Sequence, residues 1–303
     1  LAEKACKSLD FDAIKSVNPE ELSTLSKSAE YTDRLTVVKY LIKNKTDNDE
    51  ELILNLLESN DRTIKTAAIE LVPRRNSIKL FQKLFELLNS EQFCHITANA
   101  LLDIGDKIIP ELSKHFTTKS STNYILRIVE ILAKMGSTSA KSLLVKNINF
   151  PSRDVQINVI RGLYFCRYQA SGNEVSIIRK KLEETIDSVM WGYASIIDLE
   201  SEKNTLKLIQ SLDLERENNY ELIFELLSFL YDPKVINLIK KNIIGENTIF
   251  ALEIIDNFIS QDQKQLIIPL FDDISKYQRL KKLNKYFPQR KLKLTNRLKD
   301  IIV

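Results

Sequence analysis

Chain breakers are nearly absent here, while apolar residues recur at helical spacing from end to end. Glycine and proline contribute only 6 and 7 of the 303 residues. A sheet fold needs turn residues at short, regular intervals, and this chain does not supply them. Leu52, Ile53, Leu56 and Leu57 share one helical face, as do Leu80, Leu84, Leu87 and Leu88. Ile125, Ile128, Val129 and Leu132 form a third stripe, and Leu222, Leu226, Phe229 and Leu230 a fourth. The breaks between stripes carry helix caps. Asp61, Ser137, Ser152 and Asp232 stand where N-caps are expected, with Pro233 at a first helical position. Gly105, Gly136 and Gly245 follow apolar runs, where a left-handed C-terminal residue is expected. The pattern predicts an all-α chain of roughly 18 to 20 helices, each about 10 to 16 residues long.

These helices repeat. Ala100–Leu112, ALLDIGDKIIPEL, is followed one hairpin later by Ile131–Leu143, ILAKMGSTSAKSL. The shift places Gly105 on Gly136, Asp106 on Ser137, Ile109 on Ala140 and Leu112 on Leu143. An equal further shift brings Gly162, in VIRGLYF, under Ala100 and Ile131. Glu225-Leu226-Leu227 and Glu253-Ile254-Ile255 recur at a slightly shorter interval. A period near 30 residues, two helices and a tight turn, marks a helical repeat. One hairpin cannot bury its apolar face alone, so hairpins stack into a superhelix.

The unit from Ala100 to Leu112 resembles the short HEAT-like (PBS-lyase-type) repeat: a small residue, Leu, then Ile-Gly-Asp, then Ile-Pro-x-Leu. The resemblance implies a right-handed α-solenoid of stacked hairpins, about nine of them, over residues 1–303. Degenerate repeats would occupy residues 1–60, a repeat body 61–275 and a basic helical pair 276–303. The family includes scaffolds, adaptors, lyases and DNA glycosylases, so the likeness implies no particular activity.

Charge is distributed unevenly. Residues 276–303 hold ten basic side chains (Lys276, Arg279, Lys281, Lys282, Lys285, Arg290, Lys291, Lys293, Arg297 and Lys299) against Asp300 alone. That segment carries +9 in a chain of net charge +3, which leaves −6 for the rest. Lys281, Lys282, Lys285, Arg290, Lys291, Lys293 and Arg297 are therefore the candidate docking surface. An acidic protein partner or an anionic membrane surface would suit it, or, alternatively, a merely solvated cap helix. Nucleic acid is disfavoured, because a DNA-processing groove must be broadly basic. Leu280, Leu283, Leu292 and Leu294 leave one apolar face for packing.

The stretch from Phe271 to Val303, with KYQRLKKLNKYFPQRKLKLTNRLKDIIV, is similar to the end of the repeat region in certain bacterial proteins that join an ADP/ATP-translocase-like membrane part to HEAT-like repeats, often with a cyclic-nucleotide-binding domain. That similarity implies a linker or regulatory role beside a nucleotide transporter, with the transport residues outside this segment. The chain opens inside a helical pattern at Leu1, in LAEKACKSL, and closes inside another at Val303, so it reads as a piece of a longer protein.

Catalytic chemistry finds little support. There is no phosphate-binding glycine loop, GxSxG or HExxH. Cys94, His95 and His115 could be imagined as metal ligands, but adjacent helical residues point in different directions. Glu183-Glu184 and Asp272-Asp273 are sequence neighbours rather than opposed carboxylates. Trp191, with Asp187, Tyr164, Tyr168, Tyr193, Arg161 and Arg167, could imitate the aromatic–acidic pair of a HEAT-like glycosylase, although core packing is the simpler reading of Trp191. Cys6, Cys94 and Cys166 are too few for a disulfide framework and suit a reducing, cytoplasmic compartment. The expectation is a non-enzymatic scaffold or protein-interaction module without a cofactor, located in the cytoplasm or at the cytoplasmic face of a membrane.

Overall fold

A computed structural model describes residues 19–44, 49–75, 77–200, 202–245 and 247–302. Among them every regular element is a helix. The chain divides between Leu143 and Leu144 into two compact units. The segment LAEKACKSL, Cys6 and the first part of the expected degenerate repeats, residues 1–18, lie outside the described residues, as does Val303.

In the N-terminal unit the helices are short. They are α1 (Pro19–Lys27), α2 (Tyr31–Lys43), α3 (Asp49–Leu57), α4 (Arg62–Leu71), α5 (Ile78–Leu88), α6 (Cys94–Ile104), α7 (Ile109–His115) and α8 (Thr122–Met135), with α9 (Thr138–Lys146) at the division. Local chemistry sets their ends. Asp61 accepts from the Thr63 and Ile64 amides at the start of α4, and Ser77 and Ser121 cap α5 and α8. Helices contact both the next helix and the next but one: α1 touches α2 and α3, α2 reaches α4, α3 reaches α5, α4 reaches α6, and α6 reaches α8. The predicted stripes are the buried faces, with Ile53, Leu56, Leu57, Leu80, Leu84 and Leu88 inaccessible to water.

Gly105 and Gly136, aligned in the sequence, each follow the last residue of a helix. Both have positive φ, but only Gly136 is left-handed helical (φ 59°, ψ 10°). Gly105 takes φ 69° and ψ −151°, a region open essentially to glycine alone. Ser137 accepts from the Ala140 amide at 3.2 Å, as a cap should. Asp106 instead lies in a 3₁₀ turn, Gly105–Ile108, that leads into α7. Gly245 departs from expectation. Its φ is −93°, so its helix ends without a left-handed residue.

The C-terminal unit contains α10 (Arg153–Phe165), α11 (Glu174–Glu200), α12 (Leu206–Leu230), α13 (Pro233–Ile244), α14 (Thr248–Phe258), α15 (Gln261–Phe271), α16 (Lys276–Leu283) and α17 (Leu294–Ile302). Here the expected helix length fails. Helices α11 and α12 run for 27 and 25 residues and pack along each other as one long hairpin. No capping residue or proline interrupts either helix, and Gly192 continues α11 as a buried interior residue. The turn between them places Asn204 at φ 65°. Helices α10, α13, α16 and α17 all lean on this hairpin.

Candidate basic recess at the C-terminal end

Two helices frame the basic segment, α16 and α17, on either side of Pro288. Ser275 starts α16 with a capping box, its hydroxyl accepting from the Gln278 amide while the Gln278 side chain accepts from the Ser275 amide. Leu283 is its buried anchor. On α17, Leu294, Leu298 and Ile301 fall on one face and pack against Ile196, Leu199, Leu212, Leu208 and Ile209 of the long hairpin.

Trp191 joins this apolar cluster, and its indole Nε1 donates to Asp300 Oδ2 at 2.9 Å. Asp187 is exposed and accepts from Gln289 at 2.9 Å. The tryptophan is thus a packing residue tied to α17, and the simpler reading of it stands. Tyr168 is buried beneath its own hydrogen bond to Glu174, while Tyr164 is half exposed.

The seven predicted docking residues do not share one fate. Lys281, Lys282, Lys285, Arg290, Lys291 and Lys293 are exposed. Lys282 pairs with Asp272 at 3.0 Å, and Lys285 lies over the Tyr286 ring, 4.5 Å from its centroid. Arg297 must be removed from the surface: its side chain is 2 % exposed. Its Nε and Nη2 donate to Asp198 Oδ2 at 3.1 and 2.7 Å, and Nη1 donates to Asp300 at 3.1 Å. Asp198 also accepts from the Leu292 amide at 2.9 Å. A buried guanidinium needs a carboxylate and full hydrogen bonding, and α11 supplies that partner. Arg297 therefore locks the segment in place. The neighbouring cations Lys276 and Arg279 are also consumed, by Glu200 and by the Pro269 and Asp272 carbonyls.

Lys285, Lys293 and Lys299 are exposed but stand apart from the three other cations, which cluster around one recess. Lys281 from α16 and Arg290 and Lys291 from the following loop border a recess of about 450 Å³. Ala194, Ile197 and Leu280 give it apolar walls, and Tyr277, Asn284, Gln289 and Asp198, whose carboxylate is held by Arg297, complete the lining. Among the described residues none of the three cations enters an ion pair. Their charge is thus available to a ligand, in a concavity of the size that binds small groups or single anchoring side chains.

Other candidate chemistry is dispersed. Cys94 is buried while His95 is exposed beside it, and His115 stacks on Phe85 at 4.3 Å with Tyr124 Oη 3.2 Å from its Nδ1. Burial lowers the His115 pKa from its ordinary value. Among the described residues no group of His, Cys, Asp and Glu converges to hold a metal, and no helix is long and apolar enough to cross a membrane.

The sequence analysis missed one charged feature altogether. Glu225 on α12 is largely buried, and burial raises its pKa to about 7 despite the nearby Arg161 and Lys240. Its place after Phe224 and before Leu226 in an apolar stripe could have flagged it.

Compared with protein-family models and with curated proteins, the chain matches none.

Proposed function

We propose that this chain is a non-enzymatic helical-repeat scaffold that docks an acidic protein segment in the basic recess of its C-terminal end. The carrying observation is the convergence of Lys281, Arg290 and Lys291, none of them in an ion pair among the described residues, around an apolar-walled recess of about 450 Å³. A recess accepts a protruding side chain with flanking carboxylates better than it accepts a flat bilayer, which favours a peptide over a membrane. The right-handed α-solenoid of HEAT-like hairpins is part of the same proposal. It draws support from the next-but-one contacts of the short helices and from the Gly105–Gly136 register.

The test uses a fluorescein-labelled peptide of alternating Glu and Leu, beside phosphatidylserine vesicles and duplex DNA at one ionic strength. The peptide should bind best, and its affinity should fall as salt screens the contact. Lys281→Glu, Arg290→Glu and Lys291→Glu together should weaken it at least roughly tenfold, a change of about 1.4 kcal/mol. Equal binding by wild type and the triple variant would sink the reading, and tighter binding to vesicles would transfer the recess to a lipid headgroup.

A further inference from the structure

A second concave surface lies elsewhere on the C-terminal unit and has the opposite electrostatic character. It is a groove of about 970 Å³ bounded by α12, by the turn from α13 into α14, and by the end of α15. Its walls expose apolar side chains to an unusual degree for isolated surface residues: Leu214 is 61 %, Ile244 69 % and Ile249 85 % accessible. Large apolar groups gathered on one concave face mark an interaction site more often than those scattered singly.

The floor is rigid. Phe224 and Phe271 stack at 4.9 Å, and Tyr220 sits 5.4 Å from Phe271. Behind them runs a directed chain of hydrogen bonds. Tyr220 donates its single proton to the Leu270 carbonyl at 3.3 Å, so Tyr193 must donate to Tyr220 at 2.8 Å. Tyr193 in turn accepts from Arg279 Nη1 at 2.9 Å. Burial drives the Tyr220 pKa far upward, so its hydroxyl stays protonated. Arg279 and Arg216 flank the Tyr193 ring at 5.2 and 4.8 Å. Among the described residues the one cation lining the groove, Arg279, is thus committed to its wall.

The rim is acidic. Leu214, Glu217, Asn218 and Glu221 fall at i, i+3, i+4 and i+7 on α12 and so form one stripe along the groove. Glu217 and Glu221 are like charges four residues apart, an arrangement that disfavours the isolated helix. Asp272 and Asp273 face the stripe from the end of α15. Lys240 holds Glu221 and Lys282 holds Asp272, whereas Glu217 and Asp273 enter no ion pair among the described residues. An apolar channel with two uncompensated carboxylates on its rim complements an apolar stripe flanked by lysines or arginines.

We infer that this groove is a docking site for a basic amphipathic helix of a partner protein. The α12 stripe from Leu214 to Glu221 spans roughly 10 Å, and with the walls beyond it the groove would engage about two to three turns of such a helix. Apolar side chains of the partner would cover Leu214, Ile244 and Ile249, and its basic flanks would meet Glu217 and Asp273. The inference is independent of the basic recess, which selects the opposite charge.

The experiment is fluorescence anisotropy on the whole chain with three labelled peptides of about 18 residues, roughly five helical turns. One has leucines at i, i+3, i+4 and i+7 on a lysine background, the second the same leucines on glutamate, and the third lysines without leucine. The leucine–lysine peptide should bind at least about tenfold more tightly than either other. Leu214→Gln with Ile249→Gln should remove its advantage over the leucine-free lysine peptide, and Glu217→Lys with Asp273→Lys its advantage over the glutamate peptide. All four positions are exposed, so circular dichroism should show an unchanged fold. The triple variant of the basic recess should bind this peptide no more weakly than wild type, which separates the two proposals. Equal binding of the lysine and glutamate peptides, or wild-type binding by both double variants, would overturn the inference. So would a dimer in sedimentation that Ile249→Glu dissolves, because the groove would then be filled by a second copy.

Discussion

The two units solve the same problem differently. In the N-terminal unit, helices of 7 to 14 residues alternate with tight turns, and most reach the next but one. In the C-terminal unit, two helices of 27 and 25 residues form a single hairpin on which the shorter helices lean. Short stacked helices bury their faces against both neighbours, so no single helix dominates. A long hairpin is a shared wall instead, and one wall can carry several surfaces, here a basic recess beside α16 and an acidic groove beside α12. Both units contain one buried Arg–Asp pair, Asp49 with Arg75 at 2.6 Å and Asp198 with Arg297 at 2.7 Å.

Those two pairs give the largest test of the comparison. Asp198→Ala would leave the buried Arg297 Nε and Nη2 without their carboxylate, with only Asp300 on Nη1 as counter-charge, and should cost about 3 kcal/mol. Hydrogen exchange should show the opening around α11 and α17 while the N-terminal unit keeps its protection. Asp49→Ala should do the converse near α3, and the two effects should add to within about 0.5 kcal/mol, because distant sites are independent. Loss of protection in both units from one change would break the division.

A smaller effect distinguishes how turns are made. No heavy atom lies within 4 Å of a Cβ placed on Gly105, so Gly105→Ala tests backbone strain alone. With φ 69° and ψ −151° it should cost about 2–3 kcal/mol, against about 1 kcal/mol for Gly136→Ala in the ordinary left-handed region. The C-terminal unit, beside Gly172 at φ 55°, also turns through the non-glycine residues Arg167 at φ 52° and Asn204 at φ 65°. Arg167→Gly should therefore be close to neutral, within about 0.5 kcal/mol, since relief of strain offsets the added freedom of the unfolded chain. Urea midpoints would rank all three.

The smallest effect is the pH dependence that Glu225 gives the C-terminal unit. Glu225 has a folded-state pKa of about 7, above its ordinary 4.5, because burial disfavours the carboxylate. The protonated form belongs to the fold. Its contribution is complete below about 4.5 and is lost as pH rises through about 7. Glu225→Gln keeps the neutral shape and should flatten that part of the stability profile between pH 5 and 8, roughly the span over which the group titrates. An unchanged profile would mean that the carboxylate is solvated or fully paired with Lys240 or Arg161.

Legibility followed the range of the interaction. Stripes such as Leu80, Leu84 and Leu88 were readable because a helix places those positions on one face whatever surrounds it. The caps Asp61, Ser137 and Asp232 were readable because their hydrogen bonds close within three residues. Ser152 sits at its predicted N-cap position but makes no side-chain cap bond, a local alternative that spacing does not distinguish. The basic recess was half legible. Charge counting found Lys281, Arg290 and Lys291 but also proposed Arg297, whose partner Asp198 lies 99 residues away. The acidic groove left no local trace, because Leu214, Ile249 and Asp273 meet only across α12, α14 and the end of α15.

By itself, then, the sequence determined that the chain is helical, where most helices start, which faces they bury, and that its cationic charge gathers at one end. Those properties depend on contacts within a turn or two of helix, and such contacts exist wherever the chain goes. Tertiary structure decided the length of α11 and α12, the withdrawal of Arg297, the release of three neighbouring cations and the raised pKa of Glu225. Each of these depends on which distant group shares a water-excluded space. In such a space an unpaired charge costs several kcal/mol, so its partner's position, set by the fold, decides what the residue does.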